Sequence, residues 1–312
     1  MTWGSTCNQL KLLLCLVPAF LFSSLLSAQN PIVTENALQG SPYSEWGVPN
    51  FRDNRIAGFA TKMSLNAGET VRFKINVQSG ATYTMRIYRL GYYNGNGARL
   101  KHNFGTLQGT AQPAGLSDPV TGLLDCSNWS VSATWNIPSN AVSGLYFAKV
   151  ERTGGGSNHI VFIVRNDNSQ SDLYLQFPDA RWQAYNGYGG NSAYDGTTGY
   201  PGGHAVKVSY NRPFFIYNSA FNTDGRGADW YMNNEYPMIR FLERNGYDVT
   251  YTSSNDVATN GQRLLNHKVF IAIGHDEYWS KEQRNNVEAA RNAGVHLAFF
   301  TGNEVYWKTR WE

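Results

Sequence analysis

Seven residues, Gly274-His275-Asp276-Glu277-Tyr278-Trp279-Ser280, bring an imidazole, two carboxylates, a phenol and an indole together. Such a set can move protons, hold a cation through oxygen, or stack against a flat ligand. A second polar and aromatic stretch, Gly302-Asn303-Glu304-Val305-Tyr306-Trp307, follows, and two blocks upstream add phenols: Trp182-Gln183-Ala184-Tyr185-Asn186 and Ser192-Ala193-Tyr194-Asp195-Gly196. Phenols, a glutamate and a histidine brought to one place permit a metal bound through oxygen, and a phenolate is a hard anionic donor suited to ferric iron. Residue chemistry alone does not single out two tyrosines among nineteen. An ordinary aromatic wall of stacked and hydrogen-bonded rings is the competing reading.

The elements that must position these residues are legible. Val269-Phe270-Ile271-Ala272-Ile273 is short, apolar and β-branched, and reads as a buried strand. From Lys281 to Ala293 the apolar Val287, Ala290 and Ala293 recur at helical steps and Gly294 stops them; Ser280 with Gln283 predicts a capping box. The first loop therefore sits at the carboxyl end of a strand and beside a helix amino terminus, where ligands bind in open α/β sheets and negative charge is favoured. Val295 to Thr301 predicts a further strand ending in the second loop, so the two loops should face one pocket.

Upstream, Asp172 to Phe177 reads as a strand. Val206 to Tyr210 and Phe214 to Tyr217 read as strands or extended segments. Pro237 opens a helix with Met238, Ile239, Phe241 and Leu242 on one face and Gly246 at its end, and Tyr247 to Tyr251 returns as a strand before a short helix. This alternation is that of a doubly wound α/β domain, flavodoxin- or glutamine-amidotransferase-like, over residues 169–312. So few strands would leave an apolar edge, and the expectation is a truncated chain with this domain incomplete.

Residues 29–168 read as all β. Thr70 to Val77, Tyr83 to Tyr88 and Gly144 to Val150 alternate, with turns such as Asn94-Gly95-Asn96-Gly97 between strands and His159 to Val164 closing the set. The expectation is an immunoglobulin-like β-sandwich with Trp135 and Ile137 in its core. By itself this half suggests a structural or carbohydrate-facing module. Asn166 to Ser171 is the polar boundary.

Residues 1–28 read as a cleavable signal peptide: Lys11, the apolar run Leu12 to Leu26, then Leu26-Ser27-Ala28, with the mature start near Gln29. The run is short and Ser-rich at its end, so no stable membrane anchor is expected, and the protein should be secreted or periplasmic. Its removal leaves Cys126 as the one cysteine, which excludes an intrachain disulfide and a cysteine-based zinc site. A net charge of +3 on 312 residues, without a Lys/Arg cluster, argues against a nucleic-acid partner.

From Ser171 onward the chain resembles the carboxyl-terminal domain of the large (β) subunit of N,N-dimethylformamidase and its relatives. The residues carrying the resemblance are the two tyrosine blocks, Val208-Ser209-Tyr210-Asn211-Arg212-Pro213, Gly274 to Ser280, and Gly302-Asn303 with Tyr306-Trp307. The resemblance implies a mononuclear iron held by two tyrosines and one glutamate. Glu277 matches the glutamate, Tyr185 and Tyr194 match the tyrosines with Tyr210 as the rival of Tyr194, and His275 and Asn303 match the neighbouring histidine and asparagine.

For a chain read from residues 1–28 as exported, it implies an amidase-like hydrolase with His275, Glu277 and Asn303 in the catalytic set, acting on an amide or related C–N bond. As a ligand Glu277 would not be a free base, which leaves His275 as proton carrier, against the alternative that it only shapes its loop. Glu304 stands where the enzyme has a glycine. That difference, the export signal and the preceding β domain make dimethylformamide itself an unexpected substrate. The rival from another class is a non-catalytic extracellular carbohydrate-binding or adhesion protein holding a glycan-like ligand. A glycosidase built on Asp276, Glu277 and Glu304 ranks last, because side chains adjacent in sequence usually diverge.

Overall fold

A computed structural model describes residues 1, 30–49, 53–194, 203–215 and 231–312. The export segment, the Asp195-Gly196 end of the second tyrosine block, and Tyr217 lie outside the described residues. Against the all-β expectation, two short helices come first, α1 (Pro31–Asn36) and α2 (Tyr43–Trp46). Asn30 caps α1 through the Ile32 amide and Pro31 pre-sets its first turn, signals that a search for alternation passes over.

The strands that follow are β1 (Ile56–Ala60), β2 (Ser64–Asn66), β3 (Thr70–Val77), β4 (Tyr83–Leu90), β5 (Ala98–Leu107), β6 (Leu116–Asp118), β7 (Leu123–Asp125), β8 (Ala133–Asn136), β9 (Gly144–Arg152) and β10 (Ser157–Arg165). They form a three-stranded sheet, β1-β3-β8, a five-stranded sheet, β2-β10-β9-β4-β5, and a separate β6-β7 hairpin. The first two sheets share one core containing Phe73, Ile75, Trp135, Ile137, Tyr146 and Phe162. Cys126 is buried and free.

The alternation in β9 does not separate core from solvent, because Gly144 through Val150 are all buried. Tyr146, Ala148 and Val150 face the core just described, whereas Leu145 and Phe147 join Tyr88, Leu90, Val161 and Ile163 in a second cluster. That cluster reaches the second body of the molecule, so the five-stranded sheet is covered on both faces.

The second body holds β11 (Leu173–Phe177), α3 (Asp179–Ala184), α4 (Tyr231–Asn234), α5 (Tyr236–Arg244), β12 (Val249–Ser253), α6 (Ser254–Thr259), β13 (Val269–Gly274), β14 (Tyr278–Ser280), α7 (Lys281–Asn292), β15 (His296–Thr301) and β16 (Trp307–Thr309). Its main sheet is parallel throughout, in the order β12-β11-β13-β15. The chain leaves β11 first to one side and then to the other, which makes a switch point between β11 and β13. Leu175, Phe177, Ile271, Ile273 and Tyr251 pack toward Ile239 and Leu242 of α5 and the five-stranded sheet. Tyr174, Phe270 and Ala272 pack on the other side with Val257, Val287 and Ala290 of α6 and α7.

Phe241, expected on the inner face of α5, is 54% exposed, since Ile239 and Leu242 already fill that face. Ser280 caps α7 by accepting from the Gln283 amide, but the reciprocal half of the expected box is missing. The Gln283 side chain donates to Gln176 instead.

A buried ion pair ties the two bodies together. Arg89 of β4 and Glu243 of α5, each with its side chain 0% exposed, meet at 2.8 Å. Tyr251 and Asn36 also donate to Glu243, at 2.8 Å each, and Arg89 reaches the Ser143 carbonyl. Both charges have left water, and these partners, with the Leu90 carbonyl and the Tyr93 hydroxyl that also accept from Arg89, offset that. Glu243→Ala should lower unfolding stability by about 3–5 kcal/mol in a urea titration, because it leaves a buried guanidinium without its carboxylate. A loss below about 1 kcal/mol would remove the pair from this role.

Candidate functional site

The first loop begins at Gly274, whose φ of +77° turns the chain off the end of β13. A Cβ there would lie 2.2 Å from Glu235 Oε1, so the position needs glycine for space as well as conformation. The second loop is drawn onto the first by backbone hydrogen bonds: Val305 N to Asp276 O at 3.1 Å and Trp307 N to Glu277 O at 2.7 Å. Tyr278-Trp279-Ser280, expected as loop, then pairs in parallel with Trp307-Lys308-Thr309 as β14 and β16. Asn303 and Val305 both lie at positive φ, 48° and 55°. For the β-branched Val305 this is a strained conformation, kept by the ladder around it.

Tyr185 follows directly on α3, the first helix after β11, and so enters the same edge of the sheet. The chain beyond it is splinted by residues 211–215. Arg212, buried, donates to the carbonyls of Gln183, Asn191 and Tyr188 at 2.9, 2.9 and 3.3 Å. Asn186 donates to Pro213 O and accepts from Phe215 N. Asp125 at the end of β7 accepts from Ser209 and Asn211, which roots this splint in the β6-β7 hairpin.

The five residues named from the sequence come together. Glu277 is 1% exposed. Its Oε1 accepts from Tyr185 Oη at 2.8 Å and from Tyr194 Oη at 2.5 Å. Its Oε2 lies 3.1 Å from His275 Nε2 and 3.4 Å from Asn303 Nδ2. The Tyr185 and Tyr194 rings are 4.4 Å apart, with Tyr194 the more exposed. Two further groups escape the sequence reading. Tyr278 donates to the Tyr194 oxygen. Arg181 sets its guanidinium 4.6 Å from the centre of the Tyr185 ring, and its spacing of one helical turn before Tyr185 is the signal that could have found it. Tyr210 is not at the cluster; it donates to Asp179 at 2.8 Å.

Burial, then the neighbouring phenol and the Glu277 carboxylate, hold the Tyr185 hydroxyl well above the ordinary phenol range; Tyr194 is raised by burial and by Glu277. Without a cation both phenols are neutral donors to one carboxylate. The other acids stand apart. Asp276 diverges from Glu277 and accepts from Gln176 at 2.6 Å, and burial followed by the charge of Glu304 keeps it well above the carboxylate range. Glu304 is half-buried and pushed up to about 7 by burial. Asp276 and Glu277, adjacent in sequence, thus turn to different partners. Among the described residues no three His, Cys, Asp or Glu side chains gather as a metal site would need. An ion at Glu277 would have to draw on the phenols.

A family model described as "N,N-dimethylformamidase beta subunit-like, C-terminal" matches residues 84–312. The match begins inside β4, well before the Ser171 start of the resemblance read from motifs. A search of curated proteins returned no match. Among solved structures, an uncharacterized protein from Bacillus anthracis str. Ames is 18% identical with a TM-score of 0.23, covering 38% of this chain and 94% of its own. A cycloisomaltooligosaccharide glucanotransferase from Paenibacillus sp. is 13% identical with a TM-score of 0.23, covering 65% of this chain and 27% of its own. Neither likeness is strong enough to inform the fold. Among the described residues no helix is long and apolar enough to cross a membrane.

The raised Glu304 predicts a pH dependence. A carboxyl whose folded pKa, about 7, exceeds its unfolded value of 4.5 favours the folded state at low pH and loses that contribution as pH rises from 4.5 through 7. Glu304→Gln should therefore be more stable than wild type by about 1–2 kcal/mol at pH 8, after discounting for partial exposure, and no more stable at pH 4. Thermal melts at the two pH values check this; equal shifts at both would contradict it.

Proposed function

We propose, this chain belonging to the N,N-dimethylformamidase beta subunit-like family, that it is a hydrolase of an amide or related C–N bond in which Tyr185, Tyr194 and Glu277 hold one ferric iron. The observation that carries this reading is the meeting of two phenols on a single oxygen of a buried carboxylate, at 2.8 and 2.5 Å. The donor set fits the ion: three hard oxygens lie together, and loss of two phenolic protons would set three negative charges against a trivalent cation. The same low-dielectric surroundings that keep the phenols protonated make a cation's effect on their ionisation large. When bound, iron would supply a Lewis acid to a substrate carbonyl or water.

The chain's own groups divide the remaining work. With Glu277 engaged as a ligand, His275 is the proton carrier; it is a quarter exposed, can take a proton from water, and can pass it to a leaving nitrogen. Asn303 fixes the carboxylate from the side of Oε2. Arg181 over the face of Tyr185 favours the anionic form of that ring. Tyr278, donating to Tyr194, moderates the charge of that oxygen.

We read residues 29–168 as an immunoglobulin-like sandwich domain and residues 169–312 as a flavodoxin-like doubly wound domain, a reading supported by the parallel order β12-β11-β13-β15. Export with cleavage near Gln29 and a small-molecule amide substrate belong to the same proposal.

Ferric iron titrated into purified protein should produce a tyrosinate-to-iron charge-transfer band saturating near one equivalent. The band should vanish in Glu277→Ala and weaken in Tyr185→Phe and Tyr194→Phe. Folded protein that takes up no iron would end the metal reading. His275→Ala should keep iron content and band while lowering kcat on an amide substrate by about 10²- to 10⁴-fold. Unchanged kcat would return His275 to a loop-shaping role.

A further inference from the structure

The parallel sheet β12-β11-β13-β15 has two edges, and they are finished differently. At β12 the Tyr251 amide donates to Ser143 Oγ at 3.0 Å, and β9 and β10 of the β-rich body lie against the strand. At β15 no further strand pairs among the described residues. The usual guards of an open edge are missing there. His296-Leu297-Ala298-Phe299-Phe300-Thr301 contains no Lys, Arg, Asp, Glu or Pro, and its register with β13 runs without a bulge. Leu297 and Ala298 pack on the clusters of the two sheet faces, but Phe299 and Phe300, one on each face, are 46% and 59% exposed.

The hydrogen-bond phase of β15 says what kind of strand fits. The amides of His296 and Gly302 donate to the carbonyls of Lys268 and Gly274, at 2.9 and 3.2 Å, so the even-numbered residues face β13. Leu297, Phe299 and Thr301 therefore turn their N–H and C=O groups to the open side, a row symmetric about Phe299. A second β15 running antiparallel can pair Phe299 with its own counterpart and Leu297 with Thr301 in both directions, every one a hydrogen-bonded pair, with Ala298 opposite Phe300 between them. Side chains that meet then come from the same face, as a twofold axis normal to the sheet requires. Because the β12 edge is closed, such pairing ends at two copies and does not run on into a filament.

The surface available sets the strength. A covered phenylalanine buries about 150–250 Å², so four half-exposed rings would remove about 400 Å² of apolar surface from water. With the strand backbones the contact stays below about 1,200 Å², the size of reversible association.

We propose that the β15 edge is the contact surface for a second copy of this chain, joined by antiparallel β15–β15 pairing about a twofold axis at Phe299 into a reversible dimer. Sedimentation velocity on the full chain should show monomer passing to dimer between about 1 and 300 µM, with nothing larger. Phe299→Lys and Phe299→Glu each set two like charges directly opposite one another and should weaken association at least about tenfold. An equimolar mixture of the two variants should associate at least about fivefold more tightly than either alone, since opposite charges then meet at the axis. Phe241→Lys, at the 54% exposed phenylalanine of α5, should leave association unchanged. Circular dichroism melts of each variant show that it is folded.

A chain that stays monomeric over that range, or assembles beyond the dimer, would overturn the proposal. So would a dimer that survives Phe299→Lys, one that is lost equally in Phe241→Lys, or a mixture of the charge variants that associates no better than its components.

Discussion

The carboxylate of Glu277 is buried with its two oxygens facing different chemistry, and the site depends on that division. Oε1 is turned to two phenols and Oε2 to an imidazole and an amide. A carboxylate in such a place is costly unless its lone pairs are filled, and here four side chains from three separate loops share that work. Removing any loop leaves a buried charge short of donors. The loops are therefore fastened to one another by backbone: the Val305 and Trp307 amides on the carbonyls of Asp276 and Glu277, and the short β14-β16 ladder beyond.

The β-rich body also takes part in this. Its β6-β7 hairpin holds Ser209 and Asn211 through Asp125, and that segment leads to Arg212, a buried cation whose partners are three carbonyls of the tyrosine loop. Burial pulls Arg212 down to about 10, still charged at neutral pH. Farther away, Arg89 and Glu243 join the five-stranded sheet to α5, and α5 packs on the strands that end at the site. The phenols thus owe their positions to contacts from both halves of the chain.

The strands and helices that surround the site are legible in the sequence because each buries a face with its own period: β13 as an apolar run, α7 as Val287 and Ala290 one turn apart behind a serine cap. His275, Glu277 and Asn303 are legible as loop residues at strand ends. What is not legible is settled by partners distant in sequence. Tyr194 rather than Tyr210 reaches Glu277 because Asp179, buried at the start of α3, takes the Tyr210 hydroxyl. Gln283 leaves its capping role for Gln176 on β11, more than a hundred residues away. α1 and α2 are missed because their turns are set by Asn30, Pro31 and the α5 surface and carry no amphipathic period of useful length. The double coverage of β9 cannot be seen from alternation, since both of its faces are apolar.

The direct test of this account is anomalous diffraction at the iron edge from crystals of wild-type protein grown with ferric iron. The account predicts one strong peak bonded to the phenolic oxygens of Tyr185 and Tyr194 and to the carboxylate of Glu277. A fully iron-supplemented crystal in which that position carries no anomalous signal, and both phenols still donate to Glu277, would contradict it.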